Sequence, residues 1–131
     1  DHEGDPTSVH VPLGEAATRF AATSGRIVDA WRTHGLDREV RSFSGGTFPG
    51  RMSFGMTLME YLAHGSDIAA ATGQQPDFDP EAAEVALAAA EQFLLPEYRG
   101  PDSFGDVVPV PADAPALDRF LGFVGRHPVT A

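Results

Sequence analysis

Residues 54–71 read FGMTLMEYLAHGSDIAAA, and most of them are apolar or small. The apolar side chains recur at intervals of three and four residues, which predicts a helix. The helix is expected to begin near Met52 or Ser53, because serine is a preferred N-cap residue, and to end at Thr72 before Gly73. A helix that is apolar on nearly all sides is normally buried, so we expect this one to lie in the protein interior.

Three polar residues form a stripe along this helix. Glu60, His64 and Asp67 are spaced i, i+4 and i+7, so they lie on successive turns of one face. The stripe has two interpretations: the polar side of a surface helix, or a metal site. No lysine or arginine occurs between Arg51 and Arg99 to pair with the acids, and a buried carboxylate without a cation is costly. A carboxylate and an imidazole one turn apart can reach one divalent ion. Spacing alone leaves both interpretations open. In the metal interpretation Glu60 and His64 point into the interior as ligands, and Asp67 either hydrogen-bonds a ligand or makes only a polar contact.

The rest of the chain predicts further helices joined by loops. A glycine after His34, and an Asp-Pro-Glu run at 79–81, mark a helix end and a helix start. The expected elements are a flexible lead-in over residues 1–12, a helix over 13–34, a connection with one short strand or hairpin over 36–51, the helix over 52–72, a helix from the Asp79 N-cap to before Pro96, an extended 107–111 and a short helix over 115–124. This is an all-α fold with a short extended segment in its connections, expected as one domain over residues 13–131.

Composition excludes several classes of function. The net charge of -10 argues against nucleic acid as a partner, because phosphate binding needs a basic surface. Cysteine is absent, so any metal must be held by histidine and carboxylate. No apolar run approaches the roughly 20 residues of a membrane span, and no signal peptide is recognisable at the amino terminus, so no membrane association and a cytoplasmic location are expected.

The segment EYLAHGSDIAAATGQ at residues 60–74 resembles the hallmark segment of actinobacterial DinB-like metal-binding proteins. This group includes mycothiol-dependent maleylpyruvate isomerase. The likeness continues through FDP at 78–80, VVPVP at 107–111 and PALDRFLGFVGR at 115–126. It therefore covers most of the chain.

The resemblance implies an up-down four-helix bundle, in which a histidine from an early helix joins an acid and a histidine on a later helix. Glu60 and His64 match the later pair, so the resemblance implies that they are metal ligands directed into the bundle interior. The family's first two helices, with the early histidine, have no counterpart here, so this chain resembles the carboxy-terminal part of an incomplete bundle. His10 is a candidate for the third ligand, although a histidine in a lead-in is more often a solvated surface residue. Ser66 replaces the tryptophan that often follows His-Gly.

The resemblance also implies a function for the complete protein. It is a divalent-metal protein, with zinc as the expected ion and mycothiol as the co-substrate of a thiol-dependent transferase or isomerase. Two other functions stay open: a non-catalytic helical interaction domain that oligomerises through an exposed apolar face, and a metal-dependent hydrolase. The expected partners are a second copy of the chain or a missing amino-terminal segment, together with a small-molecule thiol.

Overall fold

The structure, a computed structural model, describes residues 10–42, 45–100 and 104–128. The chain divides into two compact units, residues 1–51 and 52–131. The elements in chain order are a 3₁₀ turn Leu13–Glu15, α1 Ala16–His34, β1 Glu39–Arg41, β2 Thr47–Pro49, α2 Gly50–Thr72, α3 Pro80–Phe93, a 3₁₀ turn Pro96–Tyr98 and α4 Ala116–Phe123. The architecture is mainly helical with one small hairpin.

The first unit holds α1 and the hairpin. α1 ends as predicted before Gly35, whose φ of 68° is a conformation that favours glycine and whose N–H donates to the Trp31 carbonyl at 2.8 Å. β1 and β2 are antiparallel, with Val40 opposite Phe48, so the hairpin expected in this connection is present. No residue of α1 is buried.

The core of the second unit forms from α2, α3 and α4, and α3 packs against α4. Along α2 the buried positions recur every three or four residues, as one helical face requires. The buried core side chains are Met59, Leu62 and Ala63 of α2, Ala83, Ala86, Leu87, Ala89 and Ala90 of α3, Leu94, and Phe120, Leu121 and Val124 at α4.

The starts of α2 and α3 differ in how well local sequence predicts them. α3 begins as expected: Asp79 is the N-cap, Pro80 is the first residue, and the Glu81 N–H donates to the Asp79 carboxylate at 2.9 Å. The start predicted for α2 is wrong, because the helix begins at Gly50 directly after β2. Ser53 lies inside α2 and is not a cap. The hairpin, rather than a capping side chain, sets where α2 begins.

The remaining predictions have mixed outcomes. Residues 107–111 form no strand, and α4 lies within the range expected for the last helix. Residues 1–9 of the predicted lead-in lie outside the described residues. No helix in the described ranges is long and apolar enough to cross a membrane. The single domain over residues 13–131 and the DinB-like bundle stay predictions.

Candidate functional site

His64 lies between two carboxylates on α2. Its Nε2 is 3.0 Å from Glu60 Oε2, one turn earlier, and its Nδ1 is 3.2 Å from Asp67 Oδ2, one turn later. The i, i+4 and i+3 spacings bring the three side chains together without help from another element. Both ring nitrogens therefore face an acidic oxygen.

This arrangement lacks a positive charge on one side of the ring. A neutral imidazole has one N–H donor and one acceptor nitrogen, so only one of the two carboxylates can accept a hydrogen bond from it. The other contact then sets a nitrogen lone pair against a carboxylate oxygen. A second proton on His64, or a cation between His64 and that carboxylate, would remove the conflict.

Arg126, which follows α4, neutralises one of the two acids. Its Nε and one terminal nitrogen donate to the two Asp67 oxygens at 2.9 and 3.0 Å, a bidentate ion pair. The hydrogen bond from Arg126 is the main cause that lowers the pKa of Asp67. Burial opposes it as the second-largest effect, and the charge of Arg126 and the contact with His64 lower the pKa further.

Glu60 has no such partner, since no arginine in the described part of the chain forms an ion pair with it. Two carboxylates and one guanidinium leave one net negative charge around a neutral His64. That charge sits on the Glu60 side, beside Nε2. A cation bound there would neutralise it.

A shallow cleft opens beside this group. It has a volume of about 190 Å³ and is lined by Glu60, Ala63, His64, Phe104 and Arg126. Phe104 supplies an apolar wall, and its backbone pairs with Arg99. The cleft thus presents an acid, an imidazole and a guanidinium beside an aromatic ring.

The expectation that Glu60 and His64 point into the interior is wrong. Their side chains are 55% and 63% exposed, and that of Asp67 is 46% exposed. Each of the three directly follows a buried residue of α2 in the sequence, so it lies about 100° around the helix from the core face. The stripe therefore borders the core on the solvent side.

The apolar flanks of the stripe explain this error. Ile68 is 63% exposed, whereas Met59 and Ala63, which flank the polar stripe, are in the core. Because apolar residues occur nearly all round α2, the sequence pattern alone does not show which face of the helix is directed to the core. The expectation of acids without a basic partner is also wrong for Asp67, which pairs with Arg126.

The metal-ligand assignment of Glu60 and His64 stays a prediction. Glu60 and His64 do approach a common point, but the described residues contain no group of three or more histidines or acids that could hold a metal. Asp67 does not count as a third ligand, because the imidazole ring separates it from Glu60. His10, the other candidate, is exposed and belongs to the first unit.

Arg126 and Phe104 were missed by the sequence analysis. Arg126 is 59 residues from Asp67, and no periodicity connects positions so far apart. The only available signal was its place in the PALDRFLGFVGR segment, which carried the family resemblance but no role for the arginine. Phe104 lies between α3 and α4, where the sequence shows no periodicity that would assign a face.

Two uncharacterized proteins of Mycobacterium tuberculosis, from strains CDC 1551 / Oshkosh and ATCC 25618 / H37Rv, are similar to this chain. Each is 43% identical over 82 residues, which is 62% of this chain and 45% of the relative. The chain therefore spans less than half the length of these curated relatives. No protein-family model matches the chain, and no solved structure matches it. The DinB-like resemblance stays a prediction.

Proposed function

We propose that Glu60 and His64 supply two ligands of a divalent metal ion, with zinc as the first choice. The observation that carries this proposal is the 3.0 Å approach of Glu60 Oε2 to His64 Nε2 on the side of the ring that lacks a counter-charge. A cation there would meet a carboxylate oxygen and an imidazole nitrogen, which are both ordinary zinc ligands.

The two residues fit an ion as a pair. Ligands of a tetrahedral zinc ion with bonds of about 2.0–2.1 Å lie about 3.3 Å from each other. The observed separation of the two atoms, 3.0 Å, is close to that value. Asp67 on the other ring nitrogen matches the carboxylate–histidine arrangement that orients metal-bound imidazoles.

The pair does not complete a site. Catalytic zinc sites generally have three protein ligands and an open position, and Glu60 and His64 provide two. The third would come from a second copy of the chain or from a segment of the longer protein outside this sequence, as the resemblance implies. The partial coverage of the two mycobacterial relatives is compatible with such a segment.

A bound zinc ion would act as a Lewis acid on a thiol or on water. Mycothiol transfer or isomerisation in the complete protein rests on the sequence resemblance, and hydrolysis is the alternative that uses the same ligands. In either case Glu60 and His64 would hold the ion, and Asp67 would hold the imidazole. A cleft of about 190 Å³ lies beside them.

Zinc titration against a chromogenic chelator tests the proposal. We expect zinc to bind wild type and the His34→Ala control, and not Glu60→Gln or His64→Ala. Because two ligands hold a metal weakly, the wild-type chain is expected to purify largely metal-free. Equal trace binding by all four proteins would refute the proposal, whereas near-stoichiometric metal after purification would show that a complete site exists.

A helical interaction domain is the second candidate, and α1 favours it. This helix contains no buried residue, and its Val28 is 45% exposed. Leu13, in the turn that precedes the helix, is 93% exposed. Exposed apolar side chains on one helix favour association with another surface. Light scattering at micromolar concentration should then show an oligomer that Val28→Asp weakens; a stable monomer would reject this candidate.

A further inference from the structure

Backbone hydrogen bonds at the end of α4 fix the path of the chain at Arg126. The Arg126 N–H donates to the Leu121 carbonyl at 2.8 Å, and the Gly125 N–H donates to the Gly122 carbonyl at 3.2 Å. Gly125 has a φ of 81°. These two hydrogen bonds and the left-handed glycine form a Schellman motif, which turns the chain sharply after the helix.

The turn at Gly125 lies against the backbone of Gly105. A Cβ at Gly125 would lie 2.7 Å from the backbone of Gly105, so the two glycines allow a backbone contact that any side chain would prevent. Gly105 follows Phe104, which forms the apolar wall of the cleft. One contact therefore places both Arg126 and Phe104 beside α2.

From this turn Arg126 reaches both oxygens of Asp67. Asp67 Oδ2 accepts from Arg126 at 3.0 Å and lies 3.2 Å from His64 Nδ1. A carboxylate held at both oxygens by a planar guanidinium has little freedom to rotate. The position of Asp67 in turn restricts the His64 ring, whose Nε2 is then directed to Glu60 and the cleft.

We propose that Arg126 is a positioning residue for His64 and acts through Asp67. It fixes the carboxylate that orients the imidazole, so that Nε2 faces Glu60. The inference rests on the proposed function only where it concerns metal affinity, because the position of the ring can be measured without metal.

A contribution to stability and an effect on His64 can be told apart. The side chains of Arg126 and Asp67 are 25% and 46% exposed, and exposed ion pairs typically contribute about 0.2–1 kcal/mol to folding, with bidentate pairs among the more favourable. Orientation of a neighbouring ligand is a different effect, since changing the partner that orients a metal-bound imidazole typically weakens metal binding about 10–100-fold.

Substitutions at Arg126 test the inference in the full chain. Arg126→Gln removes the charge and the two-pronged donor, whereas Arg126→Lys keeps the charge alone. The matched control is Arg119→Gln: Arg119 lies on α4 and pairs with Glu84, away from the cleft. We expect zinc affinity to be weaker in Arg126→Gln, by at most the about 10–100-fold loss that removal of Asp67 itself would cause, partly restored in Arg126→Lys and unchanged in Arg119→Gln.

A double-mutant cycle asks whether Arg126 acts through Asp67. In the Asp67→Asn background, Arg126→Gln should weaken zinc binding no further, because the link to His64 is already lost. A full additional loss would overturn the inference. Circular dichroism of each variant checks that the fold is retained.

Nuclear magnetic resonance of the metal-free chain separates this inference from the metal proposal. The His64 ring resonances should shift in Arg126→Gln and stay in place in Arg119→Gln. Unchanged resonances in Arg126→Gln would overturn the positioning role regardless of metal. Shifted resonances in a protein that binds no zinc would reject the metal function and support the role of Arg126.

Discussion

The two units of this chain contain similar amphipathic helices with different burial. α1 has 19 residues and none is buried, whereas α3 has 14 residues and buries five. Both helices carry apolar residues at intervals of three and four. A stripe of this kind makes burial favourable, but burial also requires a surface to pack against, which α4 provides for α3.

The difference in burial between the two units should appear most strongly when a large side chain is replaced by a small one. Phe120 is fully buried, so Phe120→Ala should lower the free energy of unfolding by about 3–5 kcal/mol. Val28 of α1 is 45% exposed, and Val28→Ala should change the free energy of unfolding by less than about 0.5 kcal/mol. Urea unfolding measures both. A comparable loss in the two variants would show that α1 is covered in solution.

Two glycines sharpen the same comparison with one type of substitution. A Cβ at Gly122 of α4 would meet Val110 and the Val108 carbonyl, so Gly122→Ala should destabilise by about 1–3 kcal/mol. A Cβ at Gly25 of α1 would meet nothing within 4 Å, so Gly25→Ala should stabilise by about 0.5–1 kcal/mol through helix propensity. Thermal unfolding should shift in opposite directions, and a shift of the same sign would contradict the contrast.

Two serines, one in each unit, should show a smaller difference in stability when each is replaced by alanine. The Ser66 hydroxyl oxygen is buried in the core face of α2 without a hydrogen-bond partner, which costs free energy that Ser66→Ala would recover. We expect a gain of about 1 kcal/mol in urea unfolding. The Ser24 hydroxyl oxygen of α1 is also buried without a hydrogen-bond partner, but the residue as a whole is only half-buried. Ser24→Ala should therefore gain less stability. Equal gains would argue that the two serines have equivalent environments.

The smallest effect is expected from the pH dependence of Asp67. Its pKa is lower in the folded protein because Arg126 donates to it. The resulting stabilisation is present above the carboxyl's ordinary pKa of 3.8 and is lost as the pH falls through the lower folded value. Because Asp67 is partly exposed, the effect should stay below about 1 kcal/mol.

Urea midpoints of wild type and Asp67→Asn at neutral and strongly acidic pH measure this contribution. The difference between the two proteins should shrink in acid, where the Asp67 carboxylate becomes protonated. A difference that is the same at both pH values would mean that the ion pair with Arg126 contributes nothing to stability.

Much of the secondary structure could be predicted because its signals are local. The Asp79 cap, the Pro80 that follows it and the stop at Gly35 act on their own turns of helix, and each was confirmed. The start of α2 could not be predicted, because the preceding hairpin sets it. The candidate site divides in the same way: Glu60, His64 and Asp67 meet through helical spacing, whereas Arg126 arrives from a different element.

The sequence by itself determined which residues share a turn of helix, since the 3.6-residue period depends only on the backbone. It also determined that this chain itself offers no cysteine as a metal ligand. Only the tertiary structure decided which side of α2 faces the core, because apolar residues occur nearly all round that helix. The pairing of Arg126 with Asp67 across 59 residues was likewise decided by the packing of the second unit, through a glycine turn that brings distant residues into contact.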